Sequence, residues 1–170
     1  FARDGFIKES ADYEAGKITG HAFFTRDNGS PLYEGSFEEN KAEGELRFYT
    51  NTGILSAKKG FKSNELEGEV KEYYTNGMLA SRVMIKNGKN QGLQVVLYPT
   101  GDTISTKEFD KGKAVGKYES RHTNGKIASR GQYKSGKRIG KWVDYYYDGT
   151  VKYKYQYKNG NFHGAYLKFD

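Results

Sequence analysis

The chain has no cysteine among its 170 residues, which excludes disulfide staples, thiolate metal sites and a cysteine nucleophile. Only two prolines and 35% hydrophobic residues accompany a mean hydropathy of −0.89, so a large dry core is hard to build. No run approaches the ~20 apolar residues of a transmembrane helix, and no signal peptide is visible. The first residue is Phe1 rather than methionine. That start, with the missing cysteine, is compatible with a processed chain, and favours the periplasm or cell surface over the cytoplasm.

What the chain does hold is 15 Tyr, 10 Phe and 22 Gly. Disordered chains are poor in aromatics. Many aromatics and glycines with few aliphatics suit a thin structure whose tyrosine rings lie half-buried along a sheet. The formal charge of +7 is unevenly spread. Residues 1–85 carry 11 Lys+Arg against 14 Asp+Glu, a balance of −3, whereas residues 86–170 carry 17 against 7, a balance of +10. This asymmetry is the best partner clue in the composition.

The dominant pattern is an internal repeat. Tyr13, Phe37, Phe61, Ile85, Phe109, Tyr133 and Tyr157 each follow the last by 24 residues. Seven positions after each stands a glycine, from Gly20 through Gly44 and Gly140 to Gly164. A second glycine column runs from Gly5 through Gly29 and Gly125 to Gly149, and a third column reads Gly16, Asn40, Asn64, Gly88, Gly112, Gly136, Gly160. The spacing divides the chain into the end of a truncated unit at 1–12, full units at 13–36, 37–60, 61–84, 85–108, 109–132 and 133–156, and a partial unit at 157–170.

Gly, and less easily Asn, enters positive φ at little cost, so such columns mark turns. Asn28-Gly29, Asn76-Gly77, Asn124-Gly125 and Asp148-Gly149 read as the tight hairpin turns. The other turn reads as longer, as at Asn87-Gly88-Lys89-Asn90-Gln91-Gly92. Between them lie strand-like runs such as Lys141–Tyr147 and Val151–Tyr157, rich in Tyr and Val. The fold class is therefore all-β: an elongated antiparallel meander of about seven hairpins. At ~4.8 Å per strand the sheet would be roughly 65 Å long, and a sheet of so many strands should twist. Three columns are expected to form the packed ridge. They are the 24-residue anchors, the set Ala22, Leu46, Val70, Gln94, Tyr118, Trp142, Tyr166, and the set Ile7, Leu55, Leu79, Ile127, Val151, which Pro31 and Thr103 interrupt. A fourth column, including Tyr49, Tyr73, Tyr145 and Phe169, has opposite parity and is expected on the other, partly solvated face as a candidate aromatic surface.

Two segments carry a resemblance. Tyr-Lys-Ser-Gly-Lys-Arg-Ile-Gly-Lys-Trp at 133–142 and Glu-Tyr-Tyr-Thr-Asn-Gly-Met-Leu at 72–79 resemble the bacterial MORN-repeat variant family. Its units read aromatic-x-x-Gly-Lys-x-x-Gly-x-Trp, then Tyr-Tyr-x-x-Gly-x-Leu. The resemblance runs from Gly5 to Phe169. Departures are that only Trp142 fills the Trp position, and that Glu72, Ser120 and Asp144 share a column with Phe24 and Phe48. The resemblance implies a non-catalytic single-sheet scaffold for protein–protein interaction, with an antitoxin or immunity role as one version. It offers no catalytic residue and no cofactor to carry over.

No motif suggests an enzyme. A Gly-rich phosphate loop before a helix and kinase catalytic-loop signatures are missing. His21, His122 and His163 fall in three different columns, so the repeat does not converge them on a metal. Glu43, Glu45, Glu67 and Glu69 flank Gly44 and Gly68 and read as a solvated acidic edge. Lys113, Lys117, Lys137, Arg138 and Lys141 crowd the corresponding turns later in the chain. They are the candidate partner-binding edge, for an acidic protein, an anionic envelope polymer or lipid headgroups. Another protein is the favoured partner. A glycan-binding module is the alternative, weakened by the single Trp, and nucleic acid is disfavoured because no recognised motif appears and half the chain is net acidic. The apolar segment 165–169 reads as an edge strand open to self-association.

Overall fold

The computed structural model describes residues 5–170, so the first four residues of the truncated unit expected at 1–12 lie outside it. The chain is all-β. Its strands are β1 (Glu9–Glu14), β2 (Lys17–Thr25), β3 (Pro31–Glu38), β4 (Lys41–Tyr49), β5 (Leu55–Lys62), β6 (Glu65–Tyr73), β7 (Leu79–Lys86), β8 (Lys89–Leu97), β9 (Thr103–Asp110), β10 (Lys113–Arg121), β11 (Ile127–Lys134), β12 (Lys137–Tyr145), β13 (Val151–Lys158), β14 (Asn161–Phe162) and β15 (Leu167–Lys168). They form one open antiparallel sheet in which strand order is chain order, except that β15 returns to pair with β13. Among the described residues there is no helix, hence none long and apolar enough to cross a membrane. The chain packs as two compact units. The first runs to Leu79 and includes Met84–Gly88; the second comprises Ala80–Val83 and Lys89–Asp170.

The two kinds of turn are the reverse of what the dipeptides suggest. The tight turns are the two-residue pairs Glu39-Asn40, Ser63-Asn64, Asn87-Gly88 and Ser135-Gly136, in each of which both residues have positive φ, for example 51° and 67° at Asn87 and Gly88. That is the type I′ geometry whose twist matches the flanking strands. At Asn28-Gly29 only the glycine is left-handed, with φ 78°. Five residues separate Thr25 from Pro31 there, closed by Gly29 N–H donating to the Arg26 carbonyl at 2.9 Å and by Arg26 N–H donating to the Ser30 carbonyl at 2.9 Å. The Asn28 side-chain oxygen accepts from Ser30 N–H at 3.0 Å, and Asn76, Asn124 and Asp148 do the same in their loops. The polar residue of each dipeptide thus acts as an Asx cap, not as a left-handed turn residue.

The glycine column at Gly20, Gly44 and Gly140 is not in a turn. It lies inside the strands, as a bulge. Between β11 and β12 the pair Gln132↔Ile139 is followed by Arg130↔Val143, so Gly131 alone faces the three residues Gly140, Lys141 and Trp142, two more than a regular ladder holds. Gly140 sits at φ 64°, a conformation that other residues enter only at a cost. Lys141, the residue after it, alternates with Trp142 and lines the groove described below.

Side-chain direction separates two faces. The anchors and the Ala22–Leu46–Trp142 column share one, and the buried residues Ala22, Ala42, Leu46, Ala57, Ala114, Trp142 and Tyr155 all belong to it. In the first unit the rings of Phe24, Tyr33, Phe48 and Phe61 follow one another at 4.6, 5.9 and 6.3 Å between centroids. In the second unit Tyr118, Tyr133 and Tyr157 surround Trp142 at 5.5, 5.3 and 6.1 Å. Trp142 is the one large side chain fully enclosed among the described residues. It fits because Gly131 lies beneath the indole, where a Cβ would stand only 2.1 Å from a ring carbon. Leu46 covers Gly35 in the same way, 2.7 Å from where a Cβ would stand.

The third expected ridge column does not join that face. The register pairs Thr25↔Pro31, Tyr49↔Leu55, Arg121↔Ile127 and Tyr145↔Val151 after a one-residue slip. Directly opposed residues share a face, so Leu55, Ile127 and Val151 stand with the fourth column. The slip reverses the parity on which the expectation rested. At the end of the chain, only Leu167–Lys168 of the expected strand 165–169 is a strand, and it pairs as Lys154↔Leu167 and Tyr153↔Lys168.

Repeats are tied to their successors at both ends of the strands. At the tight turns, Asn40, Asn64, Gly136 and Gly160 N–H groups donate to the Ile18, Ala42, Ala114 and Arg138 carbonyls at 2.8–3.0 Å. The Glu43 and Glu67 carboxylates accept from Ser63 and Asn87 N–H at 2.8 and 2.7 Å, and Gln91 accepts from Lys111 N–H at 3.0 Å. At the loops, the Arg26 guanidinium donates to the Tyr49 and Thr50 carbonyls at 2.7 and 2.9 Å. Tyr98, His122 and Tyr146, which stand at the same place in later units, reach the Arg121, Tyr145 and Phe169 carbonyls at 3.0–3.1 Å.

Candidate interaction surface

The face opposite the aromatic ladder carries the polar side chains. Its backbone repeats while its chemistry does not. In the first unit a shallow groove is lined by His21, Glu34, Gly35, Ser36, Glu45 and Arg47. In the second a larger one, of about 660 Å³, is lined by Lys117, Tyr118, Glu119, Arg130, Gly131, Gln132, Lys141 and Val143. The correspondence is positional: Lys117 and Lys141 stand where His21 and Glu45 stand, and Arg130 stands where Glu34 stands.

The first groove balances its own charge. Arg47 lies 3.5 Å from Glu34 and 3.6 Å from Glu45, and Lys58 lies 3.7 Å from Glu45; outside the groove, Lys71 lies 2.7 Å from Glu69. The Tyr49 hydroxyl donates to Glu34. Burial and that carboxylate together push the Tyr49 hydroxyl from its ordinary 10.0 up to about 12, because both disfavour a second negative charge there.

The second groove does not balance. Glu119 is engaged by Arg121, while Lys117, Arg130 and Lys141 have no carboxylate within ion-pair distance among the described residues. Arg130 is positioned by the Tyr145 ring, with its guanidinium carbon 5.4 Å from the centroid. The three cations come from three successive strands, β10, β11 and β12, around the apolar side chain of Val143.

The five basic residues expected along one edge are thus divided. Lys117 and Lys141 line the groove. Lys113 and Lys137 lie beside the next turns, where a Cβ on Gly136 or Gly160 would be 4.0 and 3.6 Å from them. Arg138 belongs to the aromatic face, its guanidinium stacked 4.4 Å from the Trp142 ring and donating to the Tyr157 hydroxyl at 3.2 Å. The sequence reading missed Arg130; its signal was the strand register Glu119↔Arg130↔Val143, which spacing alone does not supply. Of the aromatic candidates, Tyr49 is bonded to Glu34, Tyr145 lies under Arg130, and Phe169 lies under the Lys154 ammonium at 5.2 Å. Tyr73 stands half-buried at the end of β6.

The acids read as a solvated edge are not equivalent either. Glu43 and Glu67 cap the next turn, and Glu45 and Glu69 sit in ion pairs. His122 is a loop-end bonding residue. Among the described residues no three of His, Cys, Asp and Glu gather in a way that holds a metal ion.

Three stretches of the chain, residues 66–87, 114–135 and 138–159, match the model of the MORN repeat variant. MORN repeats are in general non-catalytic modules that bind proteins or membranes. No curated protein matches the chain. Among solved structures, the chain is similar to part of the crystal structure of accessory secretory protein 1, 2 and 3 in Streptococcus pneumoniae, at 13% identity and a TM-score of 0.33. That match covers 67% of this chain and 19% of the other.

Proposed function

We propose that the chain is a non-catalytic repeat scaffold whose polar face binds another protein. One observation carries this reading. Positions that recur in every unit are occupied in making the sheet: turn residues, bulge glycines, stacked rings and side chains that cap the next repeat. Positions on the polar face change from unit to unit on the same backbone, as Glu34, Lys58, Arg130 and Lys154 do at one site. A surface diversified on a fixed frame is what an interaction scaffold needs. The division into units at every 24 residues belongs to the same proposal, and an antitoxin or immunity protein is one specific form of it.

A second reading, binding of an envelope polymer, a glycan or lipid headgroups, rests on a different feature. Phe162 and Tyr166 are 66% and 57% exposed beside Tyr153 and Tyr155, and exposed rings of this kind stack on sugars. Affinity capture with the tagged chain from lysate and envelope fractions of the source organism decides between them. Recovery of one protein in stoichiometric amount supports the scaffold. Retention on envelope polymer without a protein overturns it in favour of the second reading.

A further inference from the structure

We infer that the groove formed by Lys117, Arg130 and Lys141 receives an extended, carboxylate-rich segment of a protein partner. This rests on the scaffold reading above and names the site and chemical class of the partner.

The two grooves use the same strand positions, and the residues that fill those positions differ in charge. In the first, the carboxylates of Glu34 and Glu45 are met by cations of the same face. In the second, three cations surround one concavity, and its one lining carboxylate, Glu119, is already held by Arg121. Like charges gathered without a counter-charge repel one another, and a bound anion removes that cost.

The geometry favours a peptide over other polyanions. Lys117 and Lys141 lie two strands apart, about 10 Å at ~4.8 Å per strand, which is the span of about three extended residues at ~3.3 Å each. Gln132, paired with Lys117 across the strands, offers an amide donor and acceptor for the backbone of such a segment. Arg130 presents a planar fork suited to a carboxylate. Single-stranded nucleic acid needs free rings on which to stack its bases; Tyr118, Tyr133, Trp142 and Tyr157 are packed together on the opposite face, and the Tyr145 ring on this face is taken by the Arg130 guanidinium. A bilayer surface does not enter a concave groove.

The test is fluorescence anisotropy of a short dye-labelled peptide of alternating glutamate and serine, at low salt, titrated with the whole chain. The triple variant Lys117→Gln, Arg130→Gln, Lys141→Gln is compared with Lys111→Gln, Lys113→Gln, Lys137→Gln, which removes the same charge from the turns. Trp142 emission and far-UV circular dichroism report whether each variant is folded. The groove triple is expected to lose about ten-fold or more in affinity and the turn triple less than about two-fold. If the groove triple does not fold, the single variants Lys117→Gln and Lys141→Gln replace it, each with an expected loss of about two- to three-fold. Equal losses in the two triples would show attraction by net charge alone and overturn the proposal. So would tighter, groove-dependent binding of inorganic polyphosphate or of phosphatidylserine vesicles, and so would failure of the unmodified chain to bind the peptide. A captured natural partner that still binds the groove triple would refute this site while leaving the scaffold reading standing.

Discussion

Trp142 and Gly131 form one packing unit: the indole is 1% exposed because the residue under it has no side chain. Gly131→Ala is expected to destabilise the second unit by about 1–3 kcal/mol through overpacking, seen as a lower urea midpoint of Trp142 fluorescence. Tyr49 illustrates a different residue-level effect. Its folded pKa is raised to about 12 from 10.0, so the unfolded chain loses that proton first. The stability it contributes is complete below pH 10 and is lost as pH rises through about 12. Urea titrations across that range should show a fall in stability that is shallower in Tyr49→Phe. If the two proteins show identical slopes, the Glu34–Tyr49 bond is not the source. At this scale the sequence announced Trp142 as an exception in its column. It did not announce Gly131, which is one of three glycines outside the repeating columns and acquires meaning only from the strand opposite.

Between elements, the structure is held by bonds from one repeat to the next. Glu43, Glu67 and Gln91 occupy one repeat position and each accepts from the backbone of the following turn. Glu43→Ala and Glu67→Ala are each expected to cost about 0.5–1.5 kcal/mol in chemical denaturation. Because glutamine already performs this function at position 91, Glu43→Gln should retain most of the stability; a loss as large as alanine's would show that charge, and not hydrogen bonding, matters. Gly140→Ala places a Cβ in a left-handed bulge, at a cost of about 1–2 kcal/mol, and displaces Lys141. Reading the columns was enough to find the hairpins. It was not enough to decide which turn was tight, because Asn-Gly serves both as a type I′ pair and as the end of a longer loop, and the hydrogen bonds of the flanking strands make that choice.

For the whole molecule, the two compact units and the neighbour-only bonding of a repeat array make full two-state unfolding the less favoured behaviour. Trp142 is the sole tryptophan and reports the second unit alone, whereas far-UV circular dichroism reports every strand. Urea transitions followed by the two probes are expected to have different midpoints. Superimposable curves would mean that the units unfold together. The charge asymmetry belongs to this scale too. It was visible in the composition as −3 against +10, but composition alone did not show that Glu34, Glu45 and Glu69 are neutralised in place while Lys117, Arg130 and Lys141 are not.

The sequence by itself determined the period, the strand count per unit and the all-β class, because glycine at positive φ and alternation along a strand are local properties that a 24-residue repetition displays seven times over. Two column assignments, the anchors and the Ala22–Trp142 set, were equally legible, since both lie on uninterrupted alternation around the buried face. What only the tertiary structure decided was register. A one-residue slip after Phe48 carries Leu55 to the face of Tyr49, and the register Glu119↔Arg130↔Val143 sets Arg130 in the same groove as Lys141. Parity along a strand is lost at each such slip, and the strand's partners, distant in sequence or across a turn, fix where the slip occurs.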